Sequence, residues 1–244
     1  MNFINLIKHP RPYLDKGLHI LKNHFRSQFY KGNVVICDLC GWKGQRFFNG
    51  KCPRCNSLAR TRLIPFTIRY FNLKGSNPKL LHVAPNLNEF NYVKNTITSL
   101  SNYDRLNIRA VKHINIVQDL TQTTLKSRSY ELAIAWHVLE HIPQDTDAIA
   151  EVFRLLKPSG HFLVSVPIYP IRNTNTIEDV TLDHKDFERV HGHYDHCRSC
   201  GLDYYKRFEA VGFKTQTLEV KTLNPNDIIR FGLQEDHVVW CFTK

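Results

Sequence analysis

The sequence predicts an α/β fold: a mostly parallel sheet with helices on both faces, preceded by a small cysteine-rich unit. Three observations lead there. The first is the stretch Glu131–Pro167, in which Leu132–Trp136 is an apolar run of strand length. From Asp145 to Leu156 the residues Ala148, Ile149, Val152, Phe153 and Leu156 then recur at helical spacing between charges. Lys157-Pro-Ser-Gly160 stops that helix, and His161–Val166 is a second, β-branched run. Strand, helix and strand at this spacing make one right-handed βαβ unit. The second observation is a series of further strand-length runs: Lys79–Ala84, Tyr103–Ile108, Ile114–Val117, Phe213–Val220 and His237–Thr243, with a helix over Tyr204–Val211. The third is a pair of Cys-x-x-Cys knuckles, Cys37/Cys40 and Cys52/Cys55. Ligands of open parallel sheets lie beyond the carboxyl ends of the strands, so His137, Glu140, His141 and the chain after Pro167 face a site.

Length and composition narrow the class. The 244 residues hold one α/β domain and a small appendage. No apolar run reaches the ~20 residues of a membrane span, and Met1–Lys8 lacks the features of a secretory signal. Seven cysteines, four of them in paired knuckles, suit a reducing compartment and a metal better than a disulfide frame, so a cytoplasmic protein is expected. A net charge of +11 points to polyanionic partners: RNA, a nucleotide-sugar or an anionic glycan. The basic residues are scattered, which fits a merely solvated basic surface equally well.

Residues 1–32 hold an amphipathic helix. Leu14, Leu18, Leu21, Phe25 and Phe29 form its stripe, with Lys16, His19, Lys22 and Arg26 turned away. The stripe either docks on the main domain or lies on a membrane surface. Over 33–57 the four cysteines are spaced for a tetrahedral, closed, structural zinc site. Ser57-Leu-Ala-Arg60-Thr-Arg62 then opens a helix to about Phe71, interrupted by Pro65.

Trp136-His-Val-Leu-Glu-His-Ile142, Leu155-Leu-Lys-Pro-Ser-Gly160 and Phe162–Pro167, in this order and spacing, resemble the fourth and fifth strands of class I S-adenosylmethionine-dependent methyltransferases, type 11-like. The resemblance implies a Rossmann-like seven-stranded sheet ending in an antiparallel edge strand, a methyltransferase domain over 58–244, and a lid inserted at about 168–200. A zinc ribbon ending Cys-Pro-x-Cys-x-Ser-x-x-Arg-x-Arg ahead of such a core resembles bacterial methyltransferases of unassigned substrate. Arg60 and Arg62 match that ending, and either pin the ribbon or hold an anionic substrate group.

The resemblance also places the cofactor. His82, Ala84, Pro85 and Asn86 stand where family members approach its methionine part, without the usual Gly-x-Gly. Asn107, with Asp104 as substitute, stands where a carboxylate holds the ribose. Asp119 and Leu120 stand where the adenine is read; Asp119 capping a turn over Thr121–Leu125 is the alternative. His137 closes the set. In the lid, Glu178, Asp179, His196 and Arg198 match the family's loop, which makes Glu178, Asp179 and Arg198 substrate contacts alongside Arg60 and Arg62.

His137 and His141 are candidate bases. The spacing of His137, Glu140 and His141 gathers them on one side of a helical turn, and with a distal lid histidine, His196, they are arranged to hold a divalent ion. This resembles the Glu-x-x-Glu-His arrangement of some metal-dependent methyltransferases. Glu140 and His141 bracing the turn against the sheet is the plainer reading. Cys197, Cys200, His191, His193 and His196 suggest a further metal site, opposed by a helix starting after Gly201. Three functions remain open: a methyltransferase acting on a sugar, glycan or other small metabolite; an RNA methyltransferase using ribbon and basic surface; or an inactive binding module.

Overall fold

A computed structural model describes residues 21–244. It contains one seven-stranded sheet between two helical layers and, ahead of it, a two-stranded ribbon. Helix α1 spans 21–29. Leu14 and Leu18 lie outside the described residues. The remaining stripe residues Leu21, Phe25 and Phe29 are 56–79% exposed, so this part of the stripe does not dock on the core. The opposite side of the helix is the attached one: Ser27 is buried and its carbonyl accepts from Trp42 Nε1 at 2.9 Å, while Arg26 lies over the Phe48 ring.

The ribbon pairs β1 (Lys31–Cys37) with β2 (Trp42–Gly44) around its own small core of Val35, Cys37, Trp42 and Cys52. Helix α2 (Ala59–Tyr70) follows and runs unbroken through Pro65, contrary to the expected interruption. A proline removes one intrahelical hydrogen bond. Here burial of Leu63, Ile64, Pro65 and Ile68 against the sheet outweighs that loss.

Parallel strands β3 (Leu80–Val83), β4 (Tyr103–Asn107), β5 (Ile116–Val117), β6 (Tyr130–Trp136) and β7 (Leu156–Ser165) alternate with helices α3 (Leu87–Thr96) and α4 (Asp145–Leu155). The chain continues through α5 (Phe187–His191), α6 (Lys206–Val211), β8 (Lys214–Glu219), α7 (Pro225–Phe231) and β9 (Val238–Thr243). The sheet order is β5-β4-β3-β6-β7-β9-β8, with β9 antiparallel to both neighbours. Period-2 alternation splits each strand between two cores. Leu81, Ala133, Phe162 and Phe242 face α4 and α6, whereas Leu80, Leu132, Leu163 and Cys241 face α2 and α3.

The last strand is antiparallel as expected, but it lies inside the sheet and not at its edge. Every residue from Val238 to Phe242 is at most 4% exposed, which needs a neighbour on each side. Polar, half-exposed β8 takes the edge instead. Helix α7 is an addition to the expected elements, and Asn224 accepting from Asn226 N ahead of Pro225 is its start signal. Among the described residues no helix is long and apolar enough to cross a membrane.

Candidate active site

A cleft of about 310 Å³ opens at the carboxyl ends of β3, β4 and β6. Val83, Leu106, Leu120, Val138 and Ile142 give it apolar walls. Ala84, Asn107, Asp119, Leu120, His137 and His141 line it, so six of the candidate residues come together from four separate loops. Ala84 and His137, directly after β3 and β6, have φ of +47° and +53°. Side chains rarely adopt that region, and such conformations gather at ligand sites. Ala84 thus makes the turn that a glycine makes elsewhere, with its N–H donating to Leu106 O at 2.7 Å.

Asp119 both shapes its loop and faces the cleft. Its Oδ1 accepts from Thr121 N (2.9 Å) and Thr121 Oγ1 (2.8 Å), while Oδ2 has no hydrogen-bond partner among the described residues. Asn107 Oδ1 accepts from Arg109 N at 3.0 Å.

Four expected cofactor contacts do not line the cleft. His82 is fully buried on the opposite face of β3 from Val83, paired with Tyr103 Oη at 2.9 Å. Asn86 is the N-cap of α3, accepting from Asn88 N and Glu89 N. Pro85 turns its carbonyl to His113 Nε2 at 2.6 Å. Asp104 lies near the amino end of β4, roughly 10 Å of strand away from Asn107, and is held by Lys79 Nζ (2.8 Å), Tyr130 Oη (2.8 Å) and Asn115 Nδ2 (3.0 Å). Burial would raise its pKa, but these three partners together hold it below its ordinary value.

The expected substrate contacts are largely structural. Arg62 is 2% exposed and donates to Ser57 O (2.6 Å), Gly50 O (3.1 Å), Gly232 O (2.7 Å) and Phe231 O (3.1 Å), pinning ribbon to core while it covers the Phe47 ring. Arg60 is exposed outside the cleft, and its carbonyl accepts from Trp136 Nε1. Arg198 is fully buried, gripping Leu139 O, Ile142 O and Pro143 O, while Glu178 accepts from both Arg198 and Arg207. Exposed Asp179 caps Thr181. No residue of 168–200 lines the cleft. The segment packs on the Leu139–His141 turn, where Cys197 N donates to Glu140 O at 3.0 Å. Cys197 Sγ also points at that carbonyl, and His191 Nδ1 meets Ser199 Oγ, so Cys197, Cys200 and His191 do not converge on a metal.

Beside the cleft, His137 Nδ1, His141 Nε2 and His196 Nε2 stand 3.6, 3.7 and 4.0 Å from Glu140 Oε1. Burial would raise the Glu140 pKa, but His137 and His141 outweigh it and hold the carboxylate below its usual range. Burial lowers His196. It also pushes His237, whose ring centroid is 6.4 Å from that of His137, down to about 4.

The four ribbon sulfurs all lie within 4.8 Å of one another, with Cys37–Cys55 and Cys40–Cys52 each at 3.7 Å. A tetrahedral ion with metal–sulfur bonds of ~2.3 Å separates its ligands by about 3.8 Å. Hydrogen bonding among the crowded thiols raises Cys37 far above its ordinary pKa, which a divalent cation at their centre reverses. The residues therefore fit zinc, which would hold the ribbon's two knuckles together.

Comparison with known proteins gives the same architecture. The chain resembles an S-adenosylmethionine-dependent methyltransferase from Mesorhizobium loti (15% identity, TM-score 0.53, covering 73% of this chain and 96% of that one). A second match is a SAM-dependent methyltransferase from Archaeoglobus fulgidus (14%, TM-score 0.51, 75% and 94%). A third is the Burkholderia thailandensis 1,6-didemethyltoxoflavin-N1-methyltransferase, solved with S-adenosylhomocysteine (14%, TM-score 0.53, 76% and 78%). Among curated proteins no match is found. The profile of the family described as "Methyltransferase domain" matches residues 21–218, and the chain belongs to that family.

Proposed function

We propose that the chain is an S-adenosylmethionine-dependent methyltransferase acting on a sugar, glycan or other small-metabolite acceptor. The observation that supports the methyltransferase part of this reading is the cleft: in a member of this family, it joins strained Ala84, Asn107, Asp119 and His137 at the carboxyl ends of adjacent strands. Bound there, the cofactor supplies an electrophilic methyl on a sulfonium, which departs as the neutral thioether. The protein's task is alignment and deprotonation of the acceptor. Asn107 and Asp119 would hold the ribose and adenine, the apolar walls would exclude water, and His137 or His141 would take the acceptor's proton.

Calorimetric titration with S-adenosylhomocysteine tests the pocket. Asp119→Ala should weaken binding by ~1–3 kcal/mol through loss of a polar contact. Unchanged affinity removes Asp119 from the pocket, and no binding by the wild type favours an inactive module. Labelled methyl transfer into separate small-metabolite, glycan and RNA pools identifies the acceptor class.

One observation favours RNA as a second reading. A groove of about 590 Å³ on the ribbon is lined by His24, Lys31, Lys43 and Arg54 and by no acidic residue among those described. RNA affinity that falls steeply with added salt supports it; salt-independent or absent binding rejects it.

A further inference from the structure

We propose that Glu140, His141 and His196 form a binding site for one divalent transition-metal ion at the wall of the cleft. Glu140 is 1% exposed, and neither of its carboxylate oxygens has a hydrogen-bond partner. A buried carboxylate without a hydrogen bond is costly, and nearly all buried polar groups find one. Its neighbours are imidazole nitrogens of three histidines, all 3.6–4.0 Å from Oε1. That is beyond hydrogen-bond reach. It is, however, the spacing of donors that share an ion, since ligands each ~2.1 Å from the metal stand roughly 3–4 Å apart. Ligand atoms of Glu140, His141 and His196 lie within 4.8 Å of one another.

His141 is oriented for the role. Its Nδ1 meets Asp195 O at 3.1 Å and Asp195 Oδ1 at 3.2 Å, so that nitrogen carries the proton and Nε2 turns its lone pair toward Glu140. A carboxylate behind a ligating histidine is the usual support of such a site. Two imidazoles and one carboxylate suit iron, zinc or their neighbours, and leave positions open for an exogenous oxygen. Because His141 also lines the cleft, an acceptor hydroxyl bound there would be oriented and more readily deprotonated. That role rests on the proposed methyltransferase reading; the ion site itself does not. A second trio, His193, Asp195 and His196, shares His196. There His193 and Asp195 already bond each other, whereas the Glu140 carboxylate has no hydrogen bond.

The test is titration of the full chain, its ribbon loaded with zinc, with Co²⁺ followed by absorption. One equivalent should bind beyond the zinc content, with ligand-field bands and no thiolate charge transfer. Glu140→Gln and His196→Gln should each weaken it by at least ~10–100-fold, the loss typical even of a supporting partner, whereas His193→Gln should not. No additional equivalent, a thiolate-type spectrum alone, or binding lost in His193→Gln and kept in Glu140→Gln overturns the proposal. Should Glu140→Gln not fold, surface-proximal His196→Gln decides. S-adenosylhomocysteine affinity on the same samples separates the two ideas: S-adenosylhomocysteine binding without Co²⁺ binding sinks the metal site alone, and the reverse sinks the methyltransferase reading.

Discussion

Replacing Arg198 by lysine should destabilise the protein severely and loosen the cleft, although the charge is kept. The guanidinium is fully buried, and its fork serves two groups at once. Nη1 donates to Leu139 O and Ile142 O at 2.7 Å each, Nη2 to Pro143 O at 2.8 Å, and Nε and Nη2 to Glu178 Oε1 at 3.0 and 2.6 Å. An ammonium offers three donors from one point and cannot span that geometry. At most three of the five hydrogen bonds survive, and at least one of the four acceptors is left unpaired, at ~1–3 kcal/mol. Glu178 then depends on Arg207 alone, and Asp145 on Arg207 and Tyr204 Oη. Together the loss should be about 3–5 kcal/mol, the range for breaking a buried charged network. Urea unfolding followed by circular dichroism should show the midpoint falling at constant slope, as for a change in stability alone. Because Ile142 and Pro143 also wall the cleft, S-adenosylhomocysteine affinity should fall in the same variant. A variant within ~1 kcal/mol of the wild type, with cofactor affinity unaltered, would refute the claim that Arg198 is an internal brace.

Three other outcomes are expected. Arg62→Lys should cost about 2–4 kcal/mol, because four carbonyl acceptors share that guanidinium, and should speed zinc loss to a chelator; release at the wild-type rate contradicts its role as a pin. Cys40→Ser should abolish stoichiometric zinc and unfold the ribbon, seen as loss of Trp42 burial by fluorescence quenching; retained zinc rejects the four-sulfur site. His237 favours the neutral form in the fold, with its pKa at about 4 against an ordinary 6.5. The unfolded chain therefore binds more protons in that window. The contribution is complete above ~6.5 and lost as pH falls toward ~4, amounting to about 3 kcal/mol at most. His237→Gln should flatten that slope; parallel wild-type and variant curves would show that His237 does not carry it.

Much of the architecture is legible in one dimension. Apolar runs bounded by turn residues locate the strands, because a sheet buried on both faces needs uninterrupted apolar segments. Two Cys-x-x-Cys pairs locate the ribbon's four-sulfur cluster, since each knuckle brings its own two sulfurs together. The cleft position of His137 follows from its strand end, and those of Ala84, Asn107 and Asp119 from the family resemblance, which places them at neighbouring strand ends. His82 and Asp104 were misplaced because neighbours in a strand face opposite ways and opposite ends of a strand lie ~10 Å apart, so nearness in sequence is no guide to a shared cleft.

What the sequence by itself determined about this protein is therefore its local content: which segments are strand, helix or knuckle, and which strand ends carry polar groups. Only the tertiary structure decided the partners. It put β9 between β7 and β8, set Arg62 on carbonyls as far as 170 residues away, and turned Arg198 inward onto the Leu139–Pro143 turn. It also left Glu140 buried beside three imidazoles with no hydrogen bond. The physical reason is that hydrogen-bond and ion partners are chosen by proximity after the layers pack, and a residue's type records its capacity to bond without recording which distant group will be brought to it.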